Sequence, residues 1–244
     1  MDRIVSPLQA AAAAFASAGL FVCAAQAAVV VPLPSHPDLQ AVADRVHAFT
    51  VQVRATAFVT ERTDGPLRMH EAVSFSSGVM VGEGLVLTTL SAVSLRGSDG
   101  HVQPADQLAV LVDDVGPLPA RLLAGDTGLD VAVLQLPDQA RTLAGASLAP
   151  EDPSAGDGMV ALCVDGDSIR AVGLLLERIA PGDDARPRLQ TDHVLPAPFW
   201  GGPLFDDRGQ LAGIATRSTG ADGSAVPASL LRALVRRSIG GSGT

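Results

Sequence analysis

From Thr50 to Pro227 the chain is a succession of short apolar runs, each broken by Gly, Pro or Asp at intervals of about ten residues. The 25 glycines and 17 prolines are spread along the whole length rather than gathered in one linker. That distribution suits many short strands joined by tight turns better than long helices. A chain of 244 residues holds one all-β domain or two small ones and is long enough to bury a core. With 47% hydrophobic residues, only 3% aromatics and no Tyr, that core must be built from Val, Leu, Ala and Ile.

The runs predict strands at Thr50 to Val59, Ala72 to Val81, Val86 to Thr88, Leu108 to Val112, Ala120 to Gly125 and Val131 to Leu136. A polar, Pro- and Gly-containing stretch from Ala144 to Gly158 separates these from a second set. That set comprises Met159 to Val164, Ala171 to Ile179, Leu189 to Thr191, Gly202 to Phe205 and Leu211 to Thr216. Helical spacing is confined to two places. Leu39, Val42 and Val46 predict a short amphipathic helix leading into the domain, and Leu230, Leu231, Leu234 and Val235 predict a terminal helix introduced by Pro227 and Ser229. The outline is all-β: six-odd strands, a linker and six-odd strands, about 48–143 and about 158–227, with a short N-terminal helix and a C-terminal helix at 228–237. That is the outline of two small barrels packed side by side, and one that sandwiches also give. The Gly/Ser tail 240–244 is expected to be disordered.

Before the domain, Arg3 is followed by an Ala-rich apolar stretch through Cys23 and then Ala25-Gln26-Ala27, which has the small-x-small form of a signal-peptidase site. The preferred reading is export to the periplasm or beyond, with 1–27 removed as a signal peptide and 28–37 left as a Pro-rich linker. The alternative is an uncleaved membrane anchor, because apolar residues continue through Val29-Val30-Val31. After cleavage only Cys163 remains, so no internal disulfide is expected.

The net charge of −9, with no basic cluster beyond Arg232, Arg236 and Arg237, argues against a nucleic-acid partner. The acidic pairs Asp113–Asp114, Asp183–Asp184 and Asp206–Asp207 sit in turn-like contexts and read as solvated loop carboxylates. Cys163 has no Cys or His at ligand spacing, so no metal site is expected. Gly201-Gly202-Pro203 is better explained by a tight turn than by phosphate binding, and no small-molecule cofactor is expected.

Four ordered segments carry a family resemblance. Ser76-Ser77-Gly78-Val79-Met80-Val81 with Gly84-Leu85-Val86-Leu87-Thr88-Thr89 resembles the strand pair leading to the catalytic histidine of HtrA/DegP-type trypsin-like serine proteases. Ala124 to Leu134 resembles the segment that bears the triad aspartate. Leu189-Gln190-Thr191-Asp192, followed by Gly201-Gly202-Pro203-Leu204, resembles the nucleophile segment. Gly209 to Ile214 and Ser224 to Pro227 resemble the specificity-pocket strands and the approach to the last helix. The resemblance implies the family's fold, two six-stranded antiparallel β-barrels with a short N-terminal and a C-terminal helix. It also implies an extracytoplasmic peptidase domain here without the C-terminal PDZ domain that many members carry, and family members often trimerise through N-terminal segments.

Carried over residue by residue, the resemblance keeps Asp130 as the triad carboxylate but puts Ser91 at the histidine position and Trp200 at the nucleophile position. A hydroxyl does not act as a base near neutral pH, and an indole N–H is only a donor. The oxyanion donors of this fold are the N–H of the nucleophile and that of the residue two before it. The latter is Pro198, which has no N–H. Of the histidines, His36, His47, His70 and His101 fall outside the expected positions, and His193 is the least implausible substitute base. The expectation is a catalytically inactive, exported protease homologue that binds a peptide or protein through Phe199, Trp200, Gly201 and Gly202, or regulates an active relative as part of a homo- or hetero-oligomer. The alternatives are an active serine endopeptidase, if Ser91 or Trp200 is misplaced, and a purely structural envelope protein. Trp200 itself has two readings, an aromatic anchor for peptide or a plug that fills the vacant cleft.

Overall fold

The computed structural model describes residues 29–31, 39–61, 68–96, 102–218 and 223–240. Strand β1 (Val29–Val31) precedes helix α1 (Leu39–Val46), which buries Leu39, Val42, Ala43 and Val46 on one face, as their spacing requires. The first barrel contains β2 (Thr50–Glu61), β3 (Arg68–Met80) and β4 (Leu85–Thr88). A small ribbon of β5 (Ser94–Arg96) and β6 (Val102–Pro104) interrupts it before β7 (Gln107–Val112), β8 (Gly116–Asp126) and β9 (Val131–Gln135). Its neighbour order is β2-β3-β4-β9-β8-β7, closed by β7 against β2.

The second barrel is built from β10 (Gly158–Asp165), β11 (Ser168–Pro181), β12 (Pro187–Thr191), β13 (Pro203–Phe205), β14 (Leu211–Thr216) and β15 (Gly223–Pro227). The order β11-β10-β13-β14-β15-β12 closes through β12 against β11. Helix α2 (Ala228–Gly240) follows directly. Both barrels are therefore six-stranded and antiparallel, with the two helices where the periodicity puts them. The structure adds four strands, the β5–β6 ribbon, β15 and β1. β15, a run bounded by Gly and Pro with little alternation, earns its place by pairing with both β12 and β14. β1 lies inside the stretch expected as a linker and pairs in parallel with Arg170–Val172 of β11. The signal-peptide and tail assignments, and most of the linker, fall on residues 1–28, 32–38 and 241–244, outside the described residues.

Three cores explain why several strands read as unbroken apolar runs rather than as alternations. Successive residues of a strand point to opposite faces. In β4, β9 and β10 one face fills a barrel and the other fills the seam between barrels. Val86, Ala132 and Leu134 point into the first barrel, and Met159, Ala161 and Cys163 into the second. Leu85, Leu87, Val131, Val133, Val160 and Leu162 share the seam with Leu39, Val42 and Val46 of α1 and with Leu231 and Leu234 of α2. The crevice along that seam is where the candidate site lies.

A charged cluster pins the barrels together beside it. Arg186, in the β11–β12 turn, donates Nη1 and Nη2 to the two carboxylate oxygens of Asp126 at 2.7 and 2.8 Å, and Nε to Asp184 at 2.6 Å. Arg188 reaches the Gly128 carbonyl at 2.7 Å and Asp184 at 3.4 Å, and Arg237 lies 3.9 Å from Asp126. The hydrogen bonds from Arg186 lower the Asp126 carboxyl to about 2, against a partial opposing effect of burial. Because the folded value is depressed, this pairing stabilises the fold above the ordinary carboxylate range, and the contribution disappears as pH falls through about 4 towards 2. The shift corresponds to about 2 kcal/mol. Denaturant unfolding at pH 5 and pH 2 should therefore show a larger loss for the wild type than for Asp126→Asn. Equal losses would mean that the bidentate pair does not form.

Candidate functional site

Asp130 ends the β8–β9 turn in the left-handed backbone region, at φ +54°, a conformation that Asp tolerates better than most residues. Its carbonyl accepts the Leu90 N–H at 3.1 Å, which fixes the turn against the segment after β4. Both oxygens of its carboxylate accept from one residue. Oδ1 accepts the Ser91 N–H at 2.7 Å and Oδ2 accepts the Ser91 hydroxyl at 2.8 Å. Ser91 opens a 3-10 turn (Ser91–Val93). Two residues that are 39 apart in the chain are thus brought into contact, and the partner of the carboxylate is a hydroxyl where an imidazole would be needed to move a proton.

Across the crevice, Ala197–Phe199 forms a 3-10 turn. The Trp200 N–H donates to the Ala197 carbonyl at 3.0 Å, so it is consumed within that turn. Pro198 has no N–H, and its carbonyl accepts the buried Ser77 hydroxyl at 2.7 Å. Ser77 Oγ in turn accepts the Val164 N–H at 2.9 Å, tying the turn to both barrels. Neither position therefore has a backbone N–H free for an anion. The missing N–H of Pro198 can be read from the sequence; the engagement of the Trp200 N–H depends on the turn's conformation.

The Trp200 side chain is half-buried. Its Nε1–H donates to the Leu195 carbonyl at 3.1 Å, and the Arg217 guanidinium stacks 4.8 Å from the ring centroid. Phe199, expected to help form an exposed apolar surface, is instead buried in the core of the second barrel, because the 3-10 turn directs it inward. Gly201 and Gly202 are also buried, packed against the backbone of Ser77 and Leu162 respectively. Of the four expected binding residues, Trp200 alone presents surface.

Beside Asp130 the crevice widens into a cavity of about 320 Å³ whose walls include Asp130, Asp183, Arg188, Gln190, Thr216 and Arg217. Gln190 Oε1 is buried there with no hydrogen-bond partner among the described residues. Neither Gln190 nor Arg217 stands out from the sequence alone, since only folding brings β12 and the end of β14 to Asp130. Among the described residues no histidine lines this cavity. His193 is exposed, with Nδ1 3.0 Å from Asp192; His47 Nδ1 lies 2.9 Å from the Asp44 carbonyl; and His70 is exposed on β3. His36 and His101 fall outside the described residues. Cys163 offers no alternative nucleophile. It is fully buried inside the second barrel, and burial pushes its thiol up to about 12, so the reactive thiolate is disfavoured. No group of three or more His, Cys, Asp or Glu among the described residues is arranged to hold a metal ion.

Two closed six-stranded barrels with a polar crevice between them, the Asp-bearing turn on one side and a Gly-Gly turn on the other, define the class of two-barrel serine-protease folds. Residues 76–214 match the trypsin-like peptidase domain, and the chain belongs to that family. The fold is shared with HtrA-type proteases. A singly substituted form of the HtrA-type protease AlgW with a decapeptide superposes with a TM-score of 0.68 at 21% identity, covering 82% of this chain and 66% of that one. This chain therefore spans about two thirds of the length of that relative. The Rv3671c protease of M. tuberculosis in its active form gives a TM-score of 0.64 at 17% identity, covering 96% of this chain and 93% of that one. Its inactive form gives 0.63 at 18%, covering 85% and 98%. Sequence comparison with curated proteins gives no match.

Proposed function

We propose that this chain is a catalytically silent member of the trypsin-like peptidase family, exported from the cytoplasm, that holds a peptide or protein segment or joins the assembly of an active relative. The Ser91 hydroxyl bonded to the Asp130 carboxylate carries this reading, because it fills the place of the general base with a group that cannot act as one. Three further features support it. Position 200 holds an indole that is anchored to a backbone carbonyl. The N–H of that residue is spent within its own turn, and Pro198 has none. The cavity beside Asp130 supports the binding half of the proposal, since its walls include the charged groups of Asp130, Asp183, Arg188 and Arg217.

The test is labelling with a fluorescent serine-reactive probe, run beside an array of extended peptides on the purified chain. No covalent labelling, together with saturable binding of some peptides, is expected. Labelling that a protein substrate competes away would sink the silent reading and restore that of an active endopeptidase. A complete lack of saturable peptide binding would remove the ligand-holding role.

A further inference from the structure

We propose that the outer edge of β3 is a self-association surface on which a second copy of this chain pairs antiparallel, with Val73 on the two-fold axis. β3 pairs with β2 along its whole length, from Arg68 to Val79, but with β4 only through Val79 and Met80. Along Glu71–Ser76 its far edge therefore has no strand partner among the described residues, and it contains no proline or lysine to block one. Pairing with β2 runs from Glu61 to Thr50 without a register shift, so the edge is also straight.

Comparable edges in this fold are covered. The backbone of Phe58 on β2 is capped on both groups, its N–H donating to Asp106 Oδ2 at 2.8 Å and its carbonyl accepting Gln103 Nε2 at 3.0 Å. The Arg170–Val172 edge of β11 is covered by β1.

The face beside the open edge is apolar and exposed. Met69, Val73 and Phe75 of β3 are 72%, 47% and 59% exposed, and Phe58 of β2 adds 51%. The residues alternate along β3, so all three share one side of the ribbon with Phe58 and Arg54. In a chain that has only 3% aromatic residues, two exposed phenylalanines on one ribbon are a concentrated apolar surface.

Charge selects a second copy as the occupant. The chain carries −9 overall, but this ribbon presents both Arg54 and Glu71, so two copies do not meet like charge with like charge here. With Val73 on the axis, Val73 faces itself and Glu71 lies opposite Phe75 of the other copy. Arg54 is the next residue across from that Phe75, which brings opposite charges of the two copies into one stretch and keeps the two Glu71 side chains apart. The surface is self-complementary, as a two-fold interface requires.

The proposal does not depend on catalytic silence, because its test reads mass and not hydrolysis. Light scattering coupled to size exclusion should show the full chain passing from monomer to dimer as concentration rises. Val73→Lys places two ammonium groups on the axis and should weaken the dimer at least roughly tenfold. Val102→Lys, a similarly exposed position on β6, should leave it unchanged. Residues on the axis of an antiparallel pair have Cα atoms about 4.5–5.5 Å apart, within disulfide range. Val73→Cys should therefore crosslink on mild oxidation while Val102→Cys does not. A chain that stays monomeric at all concentrations, a dimer indifferent to Val73→Lys, or a folded Val73→Cys that fails to crosslink would each overturn the proposal.

Discussion

Ser91→His, Pro198→Gly and Trp200→Ser introduced together should give measurable hydrolysis of an unfolded protein substrate, whereas each change alone should leave the chain silent. The reason is that a nucleophile, its base and the oxyanion donors act as a unit, so the absence of any one is enough to silence the rest. Absence of a nucleophile or a base costs on the order of 10⁶ in rate, and absence of one oxyanion donor costs roughly 10²–10³. Repairing one leaves the others in force. The geometry favours the repair. An imidazole at position 91 starts beside the Asp130 carboxylate, which now bonds the Ser91 hydroxyl at 2.8 Å and would orient the ring. Glycine at 198 restores an N–H and releases the constraint that proline puts on the 3-10 turn, so that the N–H at 200 can leave the Ala197 carbonyl. A triple variant that folds with a wild-type melting profile yet shows no cleavage would mean that these three positions do not converge on one catalytic centre.

The second large effect is structural. Gly201→Ala should destabilise the chain by about 3–4 kcal/mol, which combines left-handed strain with a steric clash. Gly201 has φ +83° and donates its N–H to the Ala215 carbonyl at 2.8 Å. A Cβ there would stand 2.4 Å from the Ser77 carbonyl oxygen and 2.5 Å from Thr88 Oγ1, atoms that are themselves bonded to each other at 2.7 Å. The turn therefore cannot accommodate the methyl without separating the second barrel from β3 and β4. Gly116→Ala is the matched control, since Gly116 has φ +89° but nothing within 4 Å of its Cβ position. It should cost only about 1 kcal/mol. Thermal unfolding of the two variants separates strain from clash. If they lose the same stability, the close approach of the Gly201 turn to Ser77 is not real.

Much of the architecture was legible because its signals are local. The apolar runs predicted eleven of the twelve barrel strands to within a few residues, and the two helices followed from 3.6-residue spacing. β15 escaped because a strand held by two neighbours does not need its own alternation, and β1 escaped because its pairing partner lies far along the chain. The site was legible only in its residue types. Motif order brought Ser91, Asp130, Pro198 and Trp200 forward, and the chemistry of a hydroxyl, an indole and a proline could be judged without coordinates. The exposure of Phe199 was misjudged, because two adjacent aromatics look alike in a sequence, while a 3-10 turn sends one into the core and leaves the other half at the surface.

By itself, then, the chain of short apolar runs determined two sets of short strands with helices at the margins, since period and turn residues act over a few neighbours, and the ordered motifs pointed to barrels rather than a sandwich. It also determined that position 198 has no N–H to donate, which is a covalent property of proline. Tertiary structure alone decided the rest. The Ser91–Asp130 contact, the Arg186 clasp between barrels, the spent N–H of Trp200 and, among the described residues, the unpaired edge of β3 all depend on which distant segments meet. That is settled by how the barrels close and pack on the shared seam, and no local pattern encodes it.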